Sequence, residues 1–224
     1  HRNDRSPRWS PDGTKLIYVS NMEGSSEVYM RWMDTGQTAR LTNVQYSPGN
    51  IEWSPDGKMI AFNMFVKSPP SEPAEMPEKP EGAKWADPPK VIDKMIYRAD
   101  GSGYQENGFT HIFTLPEDGG TPRQITSGDY HHGGQLQWSP DGEKIIFSTN
   151  RRTDWEYEPN DSDLYEISVS DGSLRQITKR QGPDNSPVLS PDGKKIAYTG
   201  YDDRYQGYQV THLYTVNRNG SNSK

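Results

Sequence analysis

Trp9-Ser10-Pro11-Asp12-Gly13, Trp53-Ser54-Pro55-Asp56-Gly57, Trp138-Ser139-Pro140-Asp141-Gly142 and Leu189-Ser190-Pro191-Asp192-Gly193 decide how this chain folds. Four copies of one tetrapeptide stand 44, 85 and 51 residues apart, each with a large apolar residue in front. Pro presets φ for the second position of a type I turn, Asp tolerates the third and bonds back to the backbone, and Gly suits the fourth. An apolar run follows every copy: Leu16-Ile17-Tyr18-Val19, Met59-Ile60-Ala61-Phe62, Lys144-Ile145-Ile146-Phe147 and Lys195-Ile196-Ala197-Tyr198. Apolar residue, tight turn, apolar run is a β-hairpin.

Outward from the hairpins a second pattern repeats. Arg40-Leu41-Thr42, Arg123-Gln124-Ile125-Thr126 and Arg175-Gln176-Ile177-Thr178 read as one closing strand used three times. Before each lies another strand and a Gly turn: Glu27–Met30 then Gly36, His111–Thr114 then Gly119-Gly120, and Asp163–Glu166 then Gly172. Four antiparallel strands per 40 to 50 residues make the blade of a β-propeller. The expected fold is all-β, with blades of four-stranded antiparallel sheet over about 6–42, 50–126, 134–178 and an incomplete 186–224. Because no closing strand follows Asn219-Gly220, the chain reads as part of a larger propeller. The second blade carries an insertion over 63–107, opened by the Pro- and Glu-rich stretch from Lys67-Ser68-Pro69-Pro70 to Pro80-Glu81-Gly82. That composition favours extended chain. Val91–Arg98 reads as ordered, and Arg98-Ala99-Asp100-Gly101 as a turn.

Composition agrees with short strands and tight turns. Aromatic residues are 11% of the chain, while Pro and Gly together number 39, from 18 and 21. The aromatics argue against disorder. A net charge of −6 with no basic run weighs against nucleic acid as partner. Cysteine is absent, which removes thiolate and disulfide chemistry and fits a periplasmic, secreted or cytoplasmic setting alike. No apolar stretch reaches the length of a membrane span. The opening His1-Arg2-Asn3-Asp4 reads as an internal cut or a mature terminus.

At the insertion the sequence resembles the propeller of the prolyl oligopeptidase family of serine peptidases, in its acylaminoacyl-peptidase-like branch. The residues that carry the likeness are Lys84-Trp85-Ala86-Asp87-Pro88-Pro89, Val91-Ile92, Tyr97-Arg98-Ala99-Asp100-Gly101-Ser102-Gly103-Tyr104 and His111-Ile112-Phe113. Asn150-Arg151-Arg152, Pro159–Asp163, Gly200–Asp203, Gly207-Tyr208 and His212-Leu213-Tyr214 continue it. The Ser-Pro-Asp-Gly turns also look like those of TolB, a periplasmic propeller protein. The resemblance implies a propeller that gates or selects peptide substrates beside an α/β-hydrolase domain bearing the catalytic triad. No Gly-x-Ser-x-Gly elbow occurs in this chain, so no catalytic residue is assigned to it. The parent would then be an acylaminoacyl-peptidase or dipeptidyl-peptidase-like hydrolase, periplasmic or secreted. The rival readings are a TolB-like protein-interaction module and a propeller joined to another hydrolase.

Insertions cluster in loops 63–107, 149–162 and 199–210, on the face opposite the Ser-Pro-Asp-Gly turns. Loops on a rigid scaffold commonly carry binding. Arg151, Arg152, Asp154, Trp155 and Glu156 form the densest polar and aromatic group there. Paired Arg suits a carboxylate such as a peptide terminus, and Glu156 suits an amino terminus. Asp161, Asp163, Asp202 and Asp203 match no compact calcium loop. His131 and His132 point apart in extended chain and so do not form a joint ligand pair. Neither a metal nor a cofactor is expected.

Overall fold

The computed structural model describes residues 2–69, 74, 77–86 and 90–224. Pro70, Asp87, Pro88 and Pro89, which figure in the sequence reading, lie outside the described residues. Three four-stranded antiparallel sheets and one three-stranded sheet follow one another along the chain. The first blade is β1 (Asp4–Trp9), β2 (Lys15–Glu23), β3 (Ser25–Trp32) and β4 (Thr38–Arg40), paired in chain order. In the second, β5 (Gly49–Trp53), β6 (Met59–Lys67), β9 (Gly108–Pro116) and β10 (Arg123–Gln124) pair in that order. The third is β11 (Gln137–Trp138), β12 (Lys144–Thr149), β13 (Asp163–Ser168) and β14 (Leu174–Gln176), and the fourth β15 (Asp184–Leu189), β16 (Lys195–Gly200) and β17 (His212–Asn217). In the fourth blade Lys224 exchanges both backbone hydrogen bonds with Thr215.

The turns form as their chemistry requires, with one addition. Gly13 N–H donates to Ser10 C=O at 2.9 Å and Gly13 adopts φ +71°. The Ser10 hydroxyl donates to Asp12 Oδ1 at 2.6 Å while accepting from Lys15 N–H at 2.9 Å. Ser54, Ser139 and Ser190 repeat this bridge to Asp56, Asp141 and Asp192. Ser therefore ties the two strands together, and its hydroxyl holds each of these Asp carboxyls below the usual carboxylate range.

The core lies between blades. One cluster joins Ile17, Val19, Val28 and Met30 to Ile51, Trp53, Phe62 and Leu115. A second joins Ala61, Ile112 and Ile125 to Trp138, Ile145 and Phe147, and a third joins Ile146 and Leu164 to Ile196, Tyr198 and Val216. Neighbours in sequence, Ala61 with Phe62 and Ile145 with Ile146, serve opposite clusters, as strand alternation demands. Apolar runs in these central strands are thus buried on both faces.

Three inner strands start earlier than the sequence suggested, at Asp4, Gly49 and Asp184 rather than near 6, 50 and 186. Each contains a bulge with one residue at positive φ: Ser6 (55°), Asn50 (47°) and Ser186 (52°). Asp4-Arg5-Ser6-Pro7 and Asp184-Asn185-Ser186-Pro187 share a sequence signal for it, since Pro cannot donate to the ladder and is confined to such irregularities.

Residues 67–108 form a second compact unit. Its described regular structure is a short hairpin of β7 (Arg98–Ala99) and β8 (Gly103–Tyr104), closed by the expected Asp100-Gly101 turn. Val91–Tyr97 forms no strand, and Val91, Ile92, Met95, Ile96 and Tyr97 expose their side chains. Lys90 Nζ sits 3.8 Å over the Tyr104 ring.

Candidate functional site

One motif prepares the loop face of every complete blade. The Thr that ends the closing strand accepts from a backbone N–H fourteen residues earlier: Val28 to Thr42, Ile112 to Thr126 and Leu164 to Thr178, each at 2.9 Å. Its hydroxyl then meets the side chain just before that N–H, respectively Glu27 at 2.6 Å, His111 at 3.2 Å and Asp163 at 3.2 Å. One position per blade therefore carries a polar group fixed at the top of the third strand. Sequence reading saw the Thr as strand and missed this partner, because the spacing resembles no local motif.

Between the third and fourth blades the loops enclose an open cavity of about 480 Å³. Arg151, Asp163, Tyr165, Lys179, Arg180 and Tyr205 are among its walls. The expected site residues divide here. Arg152 forms a double hydrogen bond to Asp154 (2.8 and 3.2 Å) and a 2.7 Å ion pair with Asp161. The other oxygen of the buried Asp161 accepts from Gly182 N–H at 2.9 Å. Arg152 thus braces the loop between Asp154 and Asp161, and Asp161 fastens it to the chain entering the fourth blade. Trp155 packs edge-on against Phe109 and His131, with centroids 6.2 and 5.9 Å away. Glu156 is half-buried and does not line the cavity.

Arg151 differs. Its guanidinium lies 4.5 Å above the Tyr130 ring and donates from Nη1 to His132 Nε2 at 2.5 Å. Arg always donates, so His132 carries its own proton on Nδ1, which is buried without a hydrogen-bond partner. Burial, then Arg151 and His111, hold the His132 pKa down to about 3. His132 is a neutral prop for a cation. Among the described residues no carboxylate reaches Arg151 within ion-pair distance. His131 and His132 do point apart, the first to Trp155 and Phe109, the second to the stacked ring of His111 at 5.2 Å.

Acid groups of the cavity are largely committed. Buried Asp184 pairs with Arg180, which also reaches Asp202 at 3.4 Å and lies 4.0 Å over the Tyr214 ring. Glu158 accepts from the Tyr205 hydroxyl at 3.2 Å. Asp163 accepts from Gln176 at 2.7 Å and from Thr178, but among the described residues it has no cation. Burial pushes its pKa up to about 6, reinforced by Asp184 and Asp161 and opposed by those two hydrogen bonds. A raised acid binds its proton more tightly folded than unfolded, so this contribution grows as pH falls from 6 towards 4 and is lost above 6. Asp163→Asn is expected to stabilise the chain by about 1–2 kcal/mol at pH 7, discounted for partial exposure, with the gain vanishing near pH 4. Urea unfolding of both proteins at the two pH values checks this; a variant less stable than its parent at pH 7 contradicts it. His132 acts in the opposite direction, losing stability below pH 6.5, and cancels in the comparison.

Among the described residues no group of three or more His, Asp or Glu side chains forms a metal-binding set, and no helix is long and apolar enough to cross a membrane.

Comparison with known proteins places this geometry in a lineage. The family model "Dipeptidyl peptidase IV (DPP IV) N-terminal region" matches residues 85–203. The uncharacterized peptidase YuxL of Bacillus subtilis (strain 168) is 31% identical over 157 residues, 69% of this chain and 23% of that protein. The Tol-Pal system protein TolB of Francisella tularensis subsp. mediasiatica is 27% identical over 211 residues, 89% of this chain and 46% of its own length. Among solved structures, Pyrococcus horikoshii acylaminoacyl peptidase superposes with a TM-score of 0.66 at 15% identity, over 99% of this chain and 31% of that one. This chain therefore spans less than half the length of each of these proteins. The family match covers more than half of the residues and includes the insertion from Trp85 onward, the third blade and the loops around Arg151. The chain belongs to the dipeptidyl peptidase IV N-terminal-region family, the propeller portion of prolyl oligopeptidase-type peptidases.

Proposed function

We propose that this chain is the non-catalytic propeller domain of a serine peptidase, selecting peptides for an α/β-hydrolase domain outside these 224 residues. The observation that carries the reading is Arg151, held by Tyr130 and His132 at the edge of the cavity without a carboxylate of its own. A guanidinium so fixed keeps its remaining N–H groups for a bidentate acceptor and loses little freedom on binding. A peptide carboxylate, terminal or side-chain, is the acceptor it fits. Family membership and the likeness to YuxL support a peptidase parent. A periplasmic or secreted setting follows the same lineage. The match to TolB over 89% of the chain supports a second reading, a module acting through protein contacts alone.

Calorimetric titration with a short peptide in two forms, free at its C-terminus and amidated, tests the selection of carboxylates. The free form is expected to bind at least ten-fold more tightly, and Arg151→Met to erase that difference, since a charge-assisted hydrogen bond is worth about 1.5–3 kcal/mol. Equal affinity of both forms for the wild-type chain would count against the reading.

A further inference from the structure

Three acids gather around the cavity between the third and fourth blades, and two of them have cations. Asp161 pairs with Arg152, and buried Asp184 pairs with Arg180. Asp163 is the remainder. It stands on the cavity wall, where Gln176 Nε2–H donates to one oxygen at 2.7 Å and the Thr178 hydroxyl to the other at 3.2 Å. Lys179, a cation of the same wall, is exposed and reaches no carboxylate within ion-pair distance among the described residues.

A second acceptor is left over beside Asp163. The Thr178 hydroxyl acts on Asp184 as well as on Asp163, but a hydroxyl has one proton to give. Asp184 is fully buried and its Oδ2 has no hydrogen-bond partner. Two neighbouring carboxyls therefore share one guanidinium, that of Arg180, which also reaches Asp202. A buried carboxylate without a counter-charge is costly until a proton or a cation joins it.

The free cation of the site is close by. Thr149 pairs with Asp163 across β12 and β13, and Arg151 follows Thr149 by two residues. That register holds the Cα atoms of Arg151 and Asp163 within about 13 Å. Asp163 and Tyr165 share a face of β13, as residues two apart in a strand must. Burial raises the Tyr165 phenol pKa first; Asp163 adds to the rise and Arg151 opposes it. One aromatic ring of the cavity wall thus feels both a negative and a positive group.

Resting on the reading of Arg151 as the carboxylate contact, we infer that Asp163 is a specificity-determining residue for peptides whose C-terminal residue is lysine or arginine. The terminal carboxylate goes to Arg151, and the ammonium or guanidinium of the same residue goes to Asp163 as its counter-charge. The apolar stem of that side chain lies along the Tyr165 ring, and the four carbons of a lysine are enough to separate the two charges. An apolar last residue leaves Asp163 unpaired, and an acidic one sets a second negative charge against it.

Calorimetric titration of the chain at about pH 7.5, where Asp163 is ionised, tests this with four peptides of one sequence. The last residue is lysine or norleucine, each with a free or an amidated C-terminus; norleucine keeps the stem and lacks the charge. The free lysine peptide is expected to bind at least ten-fold more tightly than the free norleucine peptide. Asp163→Asn is expected to abolish that preference while the norleucine peptide keeps its preference for a free C-terminus. The substitution preserves side-chain size and removes an uncompensated charge, so the fold is retained. Equal affinity of the two free peptides for the wild-type chain overturns the inference alone, as does a lysine preference that persists in Asp163→Asn. If free and amidated norleucine peptides bind alike, the reading of Arg151 fails and the inference falls with it. No binding of the free lysine peptide at millimolar concentration overturns both.

Discussion

Gly182→Ala is expected to lower stability by about 3–5 kcal/mol. Gly182 has φ +120°, a region that L side chains rarely adopt. A Cβ there would stand 2.1 Å from Tyr201 C=O and 2.8 Å from Asp203 N–H, both backbone atoms that no rotamer change can move. The same residue donates its N–H to Asp161, the carboxylate that anchors Arg152. Relief of the clash would therefore pull the 149–162 loop and the 199–210 loop apart and open the cavity. For a domain of this size the melting temperature should fall by roughly 10 °C. Gly13→Ala is the control: φ is also positive, +71°, but no atom lies within 4 Å. Its cost should be only about 1 kcal/mol, from the backbone alone. Thermal melts of the two variants within 2 °C of each other would show that close approach at Gly182 is not what matters.

Trp138→Ala should cost about 3–5 kcal/mol, and Trp9→Ala less than about 1. Both residues stand before an identical Ser-Pro-Asp-Gly, so local sequence gives no reason for a difference. Trp138 fills the cluster between second and third blades with Ala61, Ile112 and Phe147, and donates its indole N–H to Glu52 C=O. Its removal leaves a cavity and an unpaired carbonyl at once. Trp9 is mostly exposed and belongs to none of the three core clusters. Chemical denaturation of the two variants separates the cases. Equal losses for the two variants would mean that the blades are stabilised individually rather than at their junctions.

How far the sequence could be read follows from the range of each interaction. Ser-Pro-Asp-Gly was legible because its bonds close within six residues, from Ser10 to Lys15. Blade order followed from the spacing of such turns. The Thr partners Glu27, His111 and Asp163 were not legible, since they lie fifteen residues away with three different side chains at one position. Arg151 and Arg152 looked alike on paper. Only the fold supplies Asp161 to one and Tyr130 with His132 to the other, and so separates an Arg held by carboxylates from an Arg without one. The raised pKa of Asp163 comes first from burial and is reinforced by Asp184, twenty-one residues on at the start of the fourth blade.

Photo-cross-linking tests the central claim most directly. A short peptide with a free C-terminal carboxylate and a diazirine on its last residue is irradiated with the chain, and the adducts are mapped by mass spectrometry. Labels are expected on the cavity wall, at Tyr165, Lys179 or Tyr205, or at Tyr130 beside Arg151, and are expected to be lost in Arg151→Met. Labels confined to the Ser-Pro-Asp-Gly face, or unchanged by that substitution, would contradict it.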